Sequence, residues 1–276
     1  MTTAVTILAL FFVQFTYAAP GDIITSFAIN NVSGDGRNPT SPHGVTFHDG
    51  YVWVVDFGTD RIYRVYPEDV YDTDEVTLLF SAGDSDFNIP ITDTDTPPIN
   101  SDGNPIGFCG ADSGTQYCGG GGLTFAENFL WNASPVTDNI IKIDPVDGDN
   151  LETENALAAL AFPAPTDITH DGTNFWISDW QSNIITRVRP EDGVILDSIP
   201  APTLTSNIYG LAWDGQALWV ADRADDTIYR VSHTDGSLLN FFSAPGTNPR
   251  GLSWDGESLW HVDAGTGLIY RLESGV

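Results

Sequence analysis

The sequence predicts an all-β chain: a five-bladed β-propeller of four-stranded antiparallel blades, with an N-terminal strand closing the last blade. Three observations carry this expectation. Trp53, Trp131, Trp176, Trp219 and Trp260 each stand nine residues after a matching start, at Gly44, Gly122, Asp167, Gly210 and Gly251. The intervals between these tryptophans are 78, 45, 43 and 41 residues, and three of them fit the period of about 40–50 residues expected of propeller blades. Finally, the last copy runs out at Val276 after its third strand, while Asp22–Ile29 followed by Arg37-Asn38-Pro39 echoes Leu238–Ser243 followed by Thr247-Asn248-Pro249. Residues 22–29 are therefore expected to supply the missing strand and remove the open edges of a linear array.

Within each copy the elements follow in order. Asp49-Gly50, Asp171-Gly172, Asp214-Gly215 and Asp255-Gly256 predict two-residue hairpin turns, because Asp and Gly reach the positive φ such turns need. The strand carrying the marker Trp ends at Asp56, Asp179, Asp222 or Asp263. A third strand follows, as in Ile62-Tyr63-Arg64-Val65 and Ile228-Tyr229-Arg230-Val231. A second turn, such as Asp235-Gly236, leads to the fourth strand. The long first interval predicts one blade plus about 33 additional residues against the usual period. Residues 82–121 are rich in Asp, Gly, Pro, Asn and Thr and lack an alternating apolar run, so they read as an insertion rather than a sixth blade.

Five of the ten basic residues share one repeat position: Arg64, Lys142, Arg187, Arg230 and Arg271. In four copies an Asp stands eight residues earlier, at the end of the Trp strand. The expectation is a structural ion pair between the two; Ser134 breaks the pattern in the copy that uses Lys. The marker tryptophans are expected in the core, where a large aromatic buries the most apolar area.

Gly210-Leu-Ala-Trp-Asp-Gly-Gln-Ala-Leu-Trp-Val-Ala-Asp222, followed by Ile-Tyr-Arg-Val, resembles the repeats of the NHL, YncE-like and SMP-30/gluconolactonase group of propellers. The likeness spans residues 22–276. It implies the fold and leaves activity open, since that group contains binding scaffolds, lactonases and lyases.

Charge narrows the partners. The chain carries 38 acidic against 10 basic residues, a net charge of −28. Such a surface repels phosphate backbones and anionic headgroups, which argues against nucleic acid and membrane surfaces as partners. It favours divalent cations, cationic partners or a salty medium. Residues 1–18 read as a secretory signal, with an apolar run from Val5 to Phe15 and small residues at Ala18-Ala19. The run is too short for a comfortable membrane span. In an extracellular chain, Cys109 and Cys118 are expected to form a disulfide rather than a two-cysteine metal site. Asn31 and Asn132 open glycosylation sequons, the second followed by Pro135.

Function is expected where the copies differ. The insertion carries Asp93, Asp95, Asn100, Asp102 and Asn104, whose closely spaced oxygens suit Ca2+; a solvated acidic loop is the alternative. Immediately before the repeat starts lie His43, Gly121, Thr166, Tyr209 and Arg250, and Asp167 replaces the Gly of the other copies. His43, Asp167, Tyr209 and Arg250 are expected to ring the channel mouth, with Asp179, Trp180, Asp222 and Arg223 on nearby loops. His43 beside Asp167 would form an acid–base pair. The favoured reading is a secreted binding or scaffold module for a small molecule, a glycan or a protein, because no nucleophile motif or metal triad is recognisable. A lactonase- or lyase-like enzyme using a divalent metal, and a self-assembling subunit of a filament or surface layer, are the alternatives.

Overall fold

The computed structural model describes residues 18–31, 39–59, 61–71, 78–80, 84–85, 87–90, 121–135, 138–146, 151, 157, 160, 162–203 and 206–276. Five of their sheets are arranged as a ring, a five-bladed β-propeller, four of them four-stranded and that of blade two three-stranded among the described residues. The innermost strands, in blade order, are Pro42–His48, Gly122–Ala126, Pro165–His170, Ile208–Trp213 and Pro249–Trp254. Each touches the innermost strand of the next blade, and the fifth returns to the first.

Closure occurs as the sequence predicts. Ile23–Phe27 pairs antiparallel with Leu268–Leu272, so blade five contains three C-terminal strands and one N-terminal strand. Phe27 and buried Ile29 then pack in the same cluster as Trp260, Val45 and Val52, tying the closing strand to the seam between blades five and one.

The fourth strand of blade one is Phe87–Pro90, which pairs with Arg61–Arg64. It lies inside the segment read as an insertion at 82–121. Four residues are too few for a periodicity to register, so only the backbone ladder reveals it. A two-stranded ribbon, Val70–Tyr71 with Leu78–Phe80, precedes it, and the additional residues are thus divided around this strand. Cys109, Cys118 and the Ca2+ candidates Asp93, Asp95, Asn100, Asp102 and Asn104 lie outside the described residues, as does the signal segment up to Tyr17.

The marker tryptophans are buried, as expected. In every blade the Trp is the cross-strand partner of the basic residue: Trp53 faces Arg64, Trp131 faces Lys142, and the pattern continues through Trp260 and Arg271. The expected ion pairs with the strand-end Asp do not form. Arg187 instead meets the turn residue Asp171 at 3.2 Å, Arg230 meets Asp214 at 2.6 Å, and Arg271 meets Asp255 at 3.0 Å. The reason is register: a residue opposite Trp reaches the start of the Trp hairpin, not its far end. These guanidinium groups also lie 5.5–5.9 Å from the Trp ring centroids.

Two kinds of hairpin result. In blades three to five the Asp opens a four-residue turn in which only Gly172, Gly215 and Gly256 take positive φ. In blades one and two the turn is the expected two-residue type, at Asp49-Gly50 and Glu127-Asn128. There His48 and Ala126 replace the Asp that receives arginine elsewhere. The cation rests on an aromatic instead, with Arg64 4.8 Å from the Tyr51 ring and Lys142 4.1 Å from the Phe129 ring.

The strand-end aspartates have a different task. Asp56, Asp179, Asp222 and Asp263 are buried, and each accepts the backbone N–H of the residue fifteen positions earlier: Ser41, Ala164, Asn207 and Asn248. Each also accepts an N–H from the loop that follows, such as Thr59 to Asp56 and Ser182 to Asp179. They clamp the loops at one end of the ring. Buried carboxylates accepting several N–H groups need no counter-ion, although Oδ2 of Asp222 is left without a partner among the described residues.

Asn132 is fully buried and donates from Nδ2 to the Gly122 carbonyl at 2.8 Å. A glycan has no room there, so this sequon is corrected to a structural asparagine. Asn31 lies in a short strand pairing parallel with Asp84–Ser85. His261 occupies the repeat position of Asn132 and is also fully buried. Burial lowers its imidazole from 6.5 to about 4, so the folded chain holds fewer protons than the unfolded chain in that window. Stability is therefore full above pH 6.5 and falls as pH drops toward 4, by roughly 3 kcal/mol for a shift of this size. His261→Asn, copying blade two, is expected to flatten the acid limb of the melting temperature. An unchanged slope between pH 4 and 6.5 would clear His261 of this role.

Candidate ligand site at the channel mouth

The innermost strands converge so closely that the repeat-start glycines are required by space. A Cβ on Gly44 would collide with the Gly121 carbonyl, and one on Gly210 with the Arg250 carbonyl. Asp167 departs from this glycine pattern by filling the axis. A Cβ on Gly122 would meet its carboxylate. Its Oδ2 accepts the N–H of Leu211 at 2.7 Å and of Leu252 at 3.4 Å, while Oδ1 accepts the N–H of Ile168 at 2.8 Å. These donors come from three blades. Burial pushes the Asp167 carboxyl well above its usual range, and the N–H donors pull the other way.

Above this plug lies a cavity of about 390 Å3, into which all five residues preceding the repeat starts are gathered: His43, Gly121, Thr166, Tyr209 and Arg250. Of the ring expected from the sequence, His43, Tyr209 and Arg250 line this cavity, while Asp167 lies below it as the plug. Ser41, Phe57, Pro135, Asn248 and Ala264 complete the wall. Sequence reasoning missed these. Phe57, Pro135 and Ala264 share a detectable signal, since each directly follows the last residue of a Trp strand, as Trp180 and Arg223 also do.

Asp167 and His43 do not form an acid–base pair across the cavity, because the Asp167 carboxylate is committed to backbone N–H groups beneath it. Asp179 is likewise committed by both oxygens to its clamp, whereas Oδ2 of Asp222 is buried without a hydrogen-bond partner among the described residues. Trp180 is 39% exposed but does not line the cavity. Arg223 reaches the rim through the Tyr209 ring, 5.8 Å from its centroid.

Arg250 lies on the Tyr209 ring at 4.1 Å, and its Nε is buried with no hydrogen-bond partner. No carboxylate of a described residue lies within ion-pair distance of its guanidinium. Burial, with the nearby Arg223 charge, lowers the Arg250 guanidinium from its ordinary value, while Tyr209 and Asp263 oppose this. His43 stacks on Phe57, and its Nδ1 is 2.9 Å from the Ser41 carbonyl. Only a protonated Nδ1 can donate to that oxygen, so Nε2 of neutral His43 is an acceptor. Burial, then the Arg250 charge, lowers its imidazole to about 4. Among the described residues, no three His, Cys, Asp or Glu side chains are grouped as they would be around a metal ion.

Fold and site together define a five-bladed β-propeller with its channel shut by a carboxylate and a basic, aromatic mouth above it. No protein-family model matches the sequence, and no curated protein matches it. Solved structures do. Glutaminyl cyclase of Myxococcus xanthus superposes with a TM-score of 0.59 at 7% identity, covering 92% of this chain and 98% of that one. Virginiamycin B lyase of Staphylococcus aureus gives a TM-score of 0.48 at 17% identity, covering 90% and 98%. At these identities the likeness is one of fold.

Proposed function

We propose that the protein is a binding propeller whose ligand is a small organic anion held at the channel mouth. The observation that carries this reading is Arg250: a half-buried cation with no carboxylate of a described residue at ion-pair distance, in a chain of net charge −28, facing a cavity shared with Tyr209 and Thr166. A buried cation left unpaired is costly, and an anionic ligand relieves that cost. Tyr209 orients the guanidinium, and Nε2 of His43 accepts a hydroxyl or N–H of the ligand. The five mouth residues differ from blade to blade while the clamps beneath them repeat, which suits a site specialised on a constant frame. The resemblance to NHL, YncE-like and SMP-30-type repeats supports the same reading, since that group includes binding scaffolds. Secretion is part of the proposal, resting on the apolar run from Val5 to Phe15.

The test uses citrate, succinate and inorganic phosphate as probes, in calorimetry and thermal melts at neutral pH. A probe present at a hundred times its Kd raises stability by about 2.7 kcal/mol. Arg250→Gln is expected to weaken the best probe at least ten-fold while the unliganded melt changes little. If no carboxylate or phosphate binds saturably, or Arg250→Gln binds as well as the parent, the anion reading fails.

A further inference from the structure

The mouth is one end of the ring; the hairpin turns lie at the other. There the seam between blades five and one opens as a cavity of about 510 Å3. Its walls are aromatic. Phe47 and Trp260 are nearly parallel, at 4° with centroids 6.0 Å apart, and Tyr51 meets Tyr66 edge-on at 5.3 Å. Asp49 and Glu68 line the same cavity, are exposed, and make no hydrogen bond or ion pair with a described residue. Arg271, also in the lining, is already held by Asp255 and Glu257 at 3.0 and 3.8 Å.

One other seam holds a ring that this seam lacks. Between blades three and four, Trp176 and Trp213 occupy the repeat positions of Trp260 and Phe47. The His233 ring stands edge-on to both, at 6.4 and 5.2 Å, with Nδ1 3.0 Å from the Gln216 carbonyl. Blade one has Pro67 at the position of His233. It also has Tyr66 where blade three has Arg189, whose guanidinium makes a two-pronged contact with Asp192 at 2.8 and 2.7 Å. Blade one thus has Pro67 and Tyr66 where blades four and three place a planar nitrogen group, with Asp49 and Glu68 beside them in the lining.

We propose that this seam is a second binding site, for a planar organic cation of the guanidinium class. Its flat face stacks on the part-exposed rings of Phe47, Tyr51 and Tyr66, and its N–H groups reach Asp49 and Glu68. The chain already sets Arg64 over Tyr51 in this way. Cation–π attraction strengthens when the ring face is partly desolvated, and a planar N–H fork matches carboxylates as a spherical ammonium does not. The negative surface raises the local concentration of such cations.

The probe is n-butylguanidinium, titrated at low salt and followed by tryptophan fluorescence and calorimetry, with neutral n-butylurea as its isostere. The seam variant is Asp49→Asn with Glu68→Gln; both residues are exposed, and Asn tolerates the φ of 50° at position 49. A charge-matched control is Glu191→Gln with Asp197→Asn, on the exposed edge of blade three. Saturable binding of n-butylguanidinium is expected, at least ten-fold weaker in the seam variant and unchanged in the control. Equal loss in both variants, no loss in the seam variant, or equal binding of n-butylurea would overturn the proposal. A capped Gly-Arg-Gly peptide distinguishes the sources. Tighter binding than n-butylguanidinium assigns the site to an arginine side chain of a peptide, and weaker binding to a free guanidino compound.

Discussion

Asp167→Gly restores the residue that the other four blades use, yet it is expected to lower stability by several kcal/mol. The carboxylate accepts the N–H groups of Ile168, Leu211 and Leu252 in a fully buried position. A buried donor left without its acceptor costs about 1–3 kcal/mol, so three together reach roughly 3–9 kcal/mol. Domains of this kind are stable by only about 5–15 kcal/mol, which makes the loss a large fraction of the whole. The glycine also leaves a void on the axis where five strands meet. Asp167→Asn separates the two effects: it fills the space but turns an NH2 group toward N–H donors. Both variants should melt well below the parent, glycine through lost acceptors and void, asparagine through donor facing donor. The pH dependence adds a check. A folded carboxyl raised above its unfolded value contributes stability that is present at low pH and declines as pH rises through the folded value, opposite in sense to His261 and His43. Asp167→Gly should remove that decline. A melting curve matching the parent at every pH would show that the plug is dispensable.

Deletion of residues 18–29 is expected to have the second large effect. It strips Ile23–Phe27 from Leu268–Leu272 and exposes a bare edge along blade five. It also removes Phe27 and Ile29 from the cluster around Trp260, at roughly 1.5–3 kcal/mol for each large apolar side chain fully buried. The seam between blades five and one loses its clamp, so the ring becomes an open array with two free ends. The expected product melts far lower and associates through its edge. Supplying residues 18–31 as a separate peptide should restore part of the lost melting temperature, because the groove and its ladder remain. A truncated chain that stays monomeric and melts like the parent would disprove closure by this strand.

How far the sequence reached differs between frame and site. Period, blade number and closing strand follow from recurring Trp, Gly and Asp positions, because each blade must solve the same packing problem with its neighbours. The mouth residues were legible for the same reason: five strands in a ring bring the residues before their starts together, whatever their identity. Fine geometry was not legible. The shift of Asp by one position between Asp49 and Asp214 changes the hairpin from two residues to four, and sequence alone treated the two as equal. Phe87–Pro90 was invisible because four residues in an Asp- and Gly-rich stretch carry no periodicity.

The sequence by itself determined the architecture, since a repeat constrains every copy to one backbone path and one core pattern. Only the tertiary structure decided what each polar residue does. Asp56, Asp179, Asp222 and Asp263 looked like partners for arginine, and Asp167 looked like a mouth residue paired with His43. Which N–H groups point at a carboxylate depends on how strands from different blades meet, up to 85 residues apart in the contact between Leu252 and Asp167. That meeting leaves Arg250 without a carboxylate among the described residues and Asp49 and Glu68 facing an aromatic seam.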